Sequence, residues 1–193
     1  MGPETPTVLI LAGGASRRLG TPKGLVVWQD QTLLERVIVL GASVSTDVVV
    51  VTGSDAERLR PILVRLGTRE VFHPDWATGM AGSLLAGLEA IAAGRWVLVL
   101  LLDQVLVTAA HLQAVIAAAD EELGYAVATD YVGRLGVPAL FPPAWRDRLG
   151  ACRGDQGARE LLRAAVAEIK SVPAEFADFD LDTPEDLLAL QYL

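Results

Sequence analysis

Short apolar, β-branched runs alternate along this chain with longer stretches in which apolar positions recur at helical spacing. The runs at 7–11, 47–52, 70–72, 95–102, 125–129, 137–141 and 169–172 predict strands. Four consecutive valines, Val48 to Val51, mark a strand buried on both faces, as in a parallel sheet. Helical spacing at 32–42, 55–66, 81–93, 108–123 and 157–167 predicts helices, with Thr108 as the N-cap of the fourth. Thr183-Pro184-Glu185-Asp186 opens a last helix, since proline suits the first turn and carboxylates suit its positive end. This alternation predicts an α/β fold, a Rossmann-like three-layer domain whose mostly parallel sheet carries helices on both faces. The pair at 125–141, around a turn at 132–136, predicts a hairpin-like insertion or a mixed strand. No linker or repeat interrupts residues 1–193, so one domain is expected, with residues 1–6 as a frayed leader.

Composition narrows the classes. Of the 193 residues 52% are apolar, enough for a packed core. The longest apolar run, at 96–102, is far too short to cross a bilayer, and no signal-peptide pattern precedes it. A cytoplasmic protein without a membrane partner is expected. The single cysteine, Cys152, excludes an internal disulfide and a cysteine-based metal site. The net charge is −8 and no basic stripe is present, which argues against a nucleic-acid partner. Arg17, Arg18 and Lys23 nevertheless cluster, and a small basic cluster in an acidic chain suggests a small anionic ligand.

Those cations lie in the segment Leu11-Ala12-Gly13-Gly14-Ala15-Ser16-Arg17-Arg18-Leu19-Gly20-Thr21-Pro22-Lys23, directly after the first strand. Lys23 stands three residues after Gly20, so the Walker loop fails. Adjacent Gly13 and Gly14 fail the dinucleotide fingerprint too. The chemistry still suits phosphate. Glycines let backbone N–H groups approach oxygen atoms, and Arg18 and Lys23 can neutralise charge.

Two acidic features complete the picture. The strand at 95–102 runs into Asp103-Gln104, and the carboxyl end of a central parallel strand is where such sheets bind ligands. Asp178, Asp180 and Asp182 alternate before Thr183, which places them on one face of an extended segment. Carboxylates so close repel one another unless a cation sits near. Asp103 with Asp180 or Asp182 forms a candidate Mg²⁺ site, because that ion prefers oxygen ligands and substrate phosphates. His73 and His111 have no partner pattern and read as structural or surface residues, and Trp76 reads as a buried aromatic, with stacking on a ligand ring as its alternative.

The motifs, taken in order, resemble those of the MobA-like nucleotidyltransferases, which make molybdenum cofactor dinucleotides. The first motif departs only by Leu19 for the usual methionine. Gly79-Met80-Ala81-Gly82-Ser83-Leu84 resembles the family's Gly-Met-x-x-Ser-Leu, and Asp103-Gln104 its Asp-Gln-Pro, with Val105 for the proline. Gly136-Val137-Pro138-Ala139-Leu140-Phe141, Gly154-Asp155-Gln156-Gly157-Ala158-Arg159 and Asp180-Leu181-Asp182-Thr183-Pro184-Glu185-Asp186 match three more.

The resemblance implies a fold of the nucleotide-diphospho-sugar transferase type. It places the nucleoside triphosphate at Leu11, Ala12, Gly13, Gly14, Ser16, Lys23, Gly79, Gly82, Ser83 and Asp103. A molybdopterin-type phosphate acceptor is implied at Gln104, Gly136, Pro138, Gly154, Asp155 and Gly157. Lys23, Arg18 and Asp103 are the expected catalytic groups, with Mg²⁺ on Asp103, Asp180 and Asp182, and a molybdoenzyme is a candidate recipient of the product. Gly13 resembles the guanylyltransferase form, whereas the later motifs resemble the cytidylyltransferase form, which favours CTP with GTP close behind. Transfer to a sugar phosphate or other small phosphate, and a non-catalytic cofactor chaperone, are the alternatives.

Overall fold

The computed structural model describes residues 5–154, 157–174 and 179–192. Its strands and helices follow in the order β1 (Thr7–Ala12), β2 (Val27–Trp28), β3 (Gln31–Thr32), α1 (Leu33–Ala42), β4 (Val48–Thr52), α2 (Ala56–Arg65), β5 (Arg69–Phe72), α3 (Met80–Glu89), β6 (Val97–Leu101), α4 (Ala109–Ala117), β7 (Ala126–Asp130), β8 (Leu135–Phe141), α5 (Arg146–Gly150), α6 (Gly157–Ala164), β9 (Ile169–Pro173) and α7 (Pro184–Leu190). Seven strands form one sheet in the order β5-β4-β1-β6-β8-β7-β9, and β2 and β3 pair as a separate small ribbon.

Side-chain alternation divides the core in two. Val8, Ile10, Val50 and Leu98 face α1, α2 and α4. Leu9, Leu11, Val49, Val51 and Val99 face α3, α5 and α6. Both faces of the central strands are therefore covered, which is why β1, β4 and β6 are almost wholly apolar. Three layers result, as expected.

β1 pairs in parallel with β4 on one side and β6 on the other. The chain builds outward from β1 to β5 and then crosses to β6, so the direction of winding reverses between β1 and β6. Leu11 pairs with Leu101, so both strands end at the same edge. A crevice at such a reversal is where parallel sheets bind ligands, and the glycine loop and Asp103 both leave from it.

Several boundaries differ from the sequence pattern. The pair at 125–141 is a mixed strand built into the main sheet: β8 lies between β6 and β7, antiparallel to both. Its turn is Tyr131 to Arg134, two residues shorter at the far end than expected, and β8 begins at Leu135. The fourth helix ends at Ala117, well before 123. Asp120 takes the N–H groups of Glu122 and Leu123, and Gly124 has a positive φ of 60°, which turns the chain away. The third helix likewise ends at Glu89 and the sixth at Ala164. No helix among the described residues is long and apolar enough to cross a membrane. The expected leader at 1–6 lies outside the described residues as far as residue 4.

A third, smaller apolar cluster joins distant parts of the chain. Leu19 from the glycine loop, Val26, and Leu33 at the start of α1 pack with Leu181 and Leu190 from the C-terminal segment. Thr183 and Asp186 form a capping box on α7, and Asp186 Oδ2 also accepts the N–H of Asp182 at 2.9 Å. The C-terminal segment is thereby held against the glycine loop.

Candidate active site

The loop after β1 folds back on itself before reaching Lys23. Ser16 adopts a positive φ of 47°, its carbonyl accepts the Gly20 N–H at 3.1 Å, and its Oγ accepts the Lys23 N–H at 3.1 Å. Leu19, anchored in the third cluster, holds the far side of this turn. Gly13 lies so close to the β4–α2 loop that a Cβ on Gly53 would sit 2.6 Å from Trp76 Cβ and also collide with the Gly13 carbonyl. Glycine at 53 is what lets the loop and Trp76 approach one another.

The Lys23 ammonium lies between two carboxylates. Its Nζ donates to Asp103 Oδ2 and to Asp182 Oδ1, each at 3.0 Å. Arg18 donates to the other oxygen of Asp182 at 2.7 Å. Burial works against the Lys23 charge, but Asp103 and Asp182 outweigh it and hold the ammonium above its ordinary 10.5. Burial likewise disfavours the Asp182 anion, yet Lys23 and Arg18 keep its carboxyl below the usual carboxylate range.

Leu181 explains how two acidic side chains arrive together. It is fully buried in the third cluster, and its N–H donates to the Asp103 carbonyl at 3.1 Å. In an extended stretch its neighbours project to the opposite side. Asp180 and Asp182 both face the crevice but enter different parts of it. Burial, then the nearby charges of Asp103 and Asp182, push the Asp180 carboxyl above its ordinary value. Asp178 lies outside the described residues.

Two cavities meet here. The first, of 560 Å³, is lined by Leu11, Ala12, Gly13, Gly14, Ser16, Arg17, Arg18, Lys23, Gly79, Ser83, Asp103 and Asp182, and also by Trp76 and Met80. Gly79 has a φ of 105°, a conformation side chains rarely adopt, at the entry to α3. The second, of 340 Å³, has a floor of Leu84, Val99, Leu101 and Val137 and charged or polar walls that include Gln104, Arg134, Arg159 and Asp180. Leu11, Met80 and Leu101 line both, so the cavities are contiguous across the ends of β1 and β6.

Gln104 is held firmly. Its Nε2 donates to the Val137 carbonyl and, at 2.8 Å, to the Tyr131 hydroxyl, which itself donates to the same carbonyl. Its Oε1 and Asp103 Oδ1 are buried and find no partner among the described residues. These two adjacent, unsatisfied acceptors sit between the cavities.

The expected site residues mostly converge, with exceptions. Gly82 packs away from the nucleotide cavity, where a Cβ would sit 2.6 Å from Thr78 Oγ1 and 2.8 Å from His73 Nε2. Pro138 lies behind the second cavity, buried, with its carbonyl accepting from Thr129 Oγ1. Gly154 is exposed, and Gly157 packs against Met80. Asp155 lies outside the described residues. His111 is buried against Thr129 at 2.8 Å, consistent with a structural role. Trp76, expected in the core, is half-buried and lines the first cavity instead. Tyr131 and Arg134 were not singled out in the sequence, because a lone tyrosine and a lone arginine carry no spacing signal, whereas Arg159, the last residue of the motif at 154–159, lines the second cavity.

Among the described residues no group of three or more His, Cys, Asp or Glu side chains could alone hold a metal ion. The donor set nevertheless suits a hard cation. Asp103 Oδ1 lacks a partner, and carboxylate oxygens with substrate phosphates are the ligands such an ion takes.

The sequence profile of one family, described as MobA-like NTP transferase domain, matches residues 8–170. A probable molybdenum cofactor guanylyltransferase of Bacillus cytotoxicus is 31% identical over 91 residues, 47% of this chain and 45% of that protein. The match therefore spans less than half of that relative's length. A nicotine blue oxidoreductase of Paenarthrobacter nicotinovorans is 30% identical over 200 residues, 95% of each chain. The crystal structure of Rv0371c from Mycobacterium tuberculosis superposes with a TM-score of 0.87 over 98% of this chain and 100% of that one, at 24% identity. The fold is shared at that identity.

Proposed function

The chain belongs to the MobA-like NTP transferase domain family, and on that premise we propose that it transfers a nucleotidyl group, CMP or GMP, to the phosphate of a molybdopterin-type acceptor. One observation carries this reading: two contiguous cavities share Leu11, Met80 and Leu101, one carrying Arg17, Arg18 and Lys23 with Asp103 and Asp182, the other an apolar floor with Gln104 and Asp180. The triphosphate lies along Gly13, Gly14, Ser16, Arg18 and Lys23, and the acceptor fills the second cavity. An acceptor phosphate oxygen attacks the α-phosphorus, the bond from that phosphorus to the bridging oxygen breaks, and pyrophosphate leaves with both electrons of that bond. No proton need move.

In this reading the protein positions two anions and neutralises their charge. Lys23 and Arg18 turn from the carboxylates to the phosphates. Asp103 with Asp180 or Asp182 would hold Mg²⁺, which when bound neutralises phosphate charge. The residues fit it because Asp103 offers an unpaired oxygen.

For the base, the motifs from Gly79 onward favour CTP. Gly13 and the partly matching relatives, named as probable guanylyltransferases, favour GTP. The experiment is pyrophosphate release with Mg²⁺ and molybdopterin, comparing the two triphosphates. Product from neither would defeat the reading.

A second reading, an oxidoreductase, is favoured by the 95% coverage of the Paenarthrobacter protein. It separates from the first in one parallel assay. Oxidation of a reduced nicotinamide or flavin donor coupled to two-electron reduction of added nicotine blue, without pyrophosphate release, would select it.

A further inference from the structure

The lining of the nucleotide cavity has two chemically distinct parts. One carries Arg17, Arg18, Lys23 and the glycine loop, and suits phosphate. The other carries Trp76, Ala77 and Met80, soft apolar groups with no charge to offer a phosphate. An aromatic nucleobase suits that part. The four tryptophans have separate surroundings. Trp96 and Trp145 are 8% and 2% exposed, within the two cores. Trp28 lies against the Arg36 guanidinium, 4.2 Å from its ring centre. Trp76 is half-buried at the cavity wall.

Its backbone is also pinned. The space for a Gly53 side chain is filled by Trp76 Cβ and by Gly13, so the indole is carried on the same rigid joint as the phosphate loop. A short turn at 76–78, closed by the Gly79 N–H on the Trp76 carbonyl at 3.2 Å, leads straight into α3.

From this we infer that Trp76 is the stacking platform for the nucleobase, and that it holds purine and pyrimidine alike. Every base has a π-face, so stacking gives affinity without choosing between bases. Discrimination then falls to groups at the base edge. Ser83 is placed for that, with Oγ 2.9 Å from where a Gly13 side chain would begin. The inference rests on the nucleotide reading of this cavity given above and explains why sequence motifs point to CTP and GTP at once.

The test measures binding without an acceptor, so nothing turns over. CTP, GTP and inorganic tripolyphosphate are titrated into the full chain by calorimetry, with tryptophan emission followed in parallel. Trp76→Ala should weaken CTP and GTP together by roughly tenfold and remove the nucleotide-induced change in emission. Trp76→Phe should restore most of the affinity. Tripolyphosphate should bind all three proteins equally, which shows that the phosphate part is intact. The inference is overturned if Trp76→Ala leaves both nucleotides unaffected, weakens only one, or weakens tripolyphosphate in step with them. Base-dependent binding without pyrophosphate release would leave the platform standing and defeat transfer. Pyrophosphate release unaffected by Trp76→Ala would do the reverse.

Discussion

Replacing Lys23 by alanine removes the cation that two carboxylates share. In the native protein Nζ lies 3.0 Å from Asp103 and 3.0 Å from Asp182. At that distance, and an effective dielectric constant of about 20, each attraction is about 5–6 kcal/mol before desolvation is subtracted. The Lys23 side chain is 12% exposed, Asp103 21% and Asp182 35%, between a surface pair and a buried one. Surface pairs contribute up to about 1 kcal/mol, and breaking a buried pair costs about 3–5. Loss of Lys23 should therefore cost about 1–3 kcal/mol, or roughly 3–10 °C of melting temperature for a domain this size. Arg18 still reaches Asp182, but Asp103 is left without a cation.

The diagnostic step is adding a divalent cation without nucleotide. Lys23 occupies the position between the carboxylates, so Mg²⁺ alone should barely change the native melting temperature. In Lys23→Ala Asp103 and Oδ1 of Asp182 lose their cation, and Mg²⁺ should recover several degrees, since binding at 100-fold above Kd adds about 2.7 kcal/mol. Scanning calorimetry with MgCl₂, with NaCl at equal ionic strength, and with a chelator reads this directly. Turnover should fall on the order of 100-fold or more even where Mg²⁺ restores stability. Equal stabilisation of both proteins by Mg²⁺ would refute the argument, since the ammonium would then not hold the cation's place.

Other predictions follow from the same geometry. Gly13→Ala puts a Cβ 2.9 Å from Ser83 Oγ, and the ratio of kcat/KM for CTP and GTP should move by about 10- to 100-fold; Gly13→Ala with Ser83→Ala should bring it back. Gln104→Met should raise the acceptor KM roughly tenfold with the nucleotide KM unchanged, because it removes an amide set beside an unsatisfied acceptor position. Glu35 concerns stability. Hydrogen bonds from Arg65 and then Thr32 lower its carboxyl to about 2 from 4.5. A lowered carboxyl stabilises fully above the ordinary value and loses that contribution as pH falls through the native one. Glu35→Gln should therefore melt below wild type at pH 7, by at most about 1 kcal/mol given solvent screening, and the two should converge towards pH 2.

The layered sheet was legible because its strands are buried on both faces, which leaves uninterrupted runs such as Val48 to Val51. Caps at Thr108 and Thr183 were legible because their chemistry is local. The direction of β8 was not, because strand polarity depends on partners far along the chain. Ala-rich residues after Ala117 look helical until Asp120 bonds to the next turn and Gly124 bends it. In the site, Asp103 was marked by its place after an apolar strand. The division between Asp180 and Asp182 was not, since it depends on which cavity each side chain enters after Leu181 is buried. For Trp76 the sequence left burial and stacking on a ring both open, and the close approach permitted by Gly53 brings it to the cavity.

Leu181 has a further consequence for heat inactivation. The sheet side of the crevice supplies Lys23 and Asp103, and the C-terminal segment supplies Asp180 and Asp182. Of the five residues buried in the third cluster, that segment contributes Leu181 and Leu190. With Phe179 and Leu187 partly buried beside these two leucines, the seam is still a minor area against two full layers of core on the sheet. The joint can therefore part while the scaffold stays folded. The expected result is that activity is lost on heating at a lower temperature than the fold melts, because the first depends on how well a short greasy seam holds.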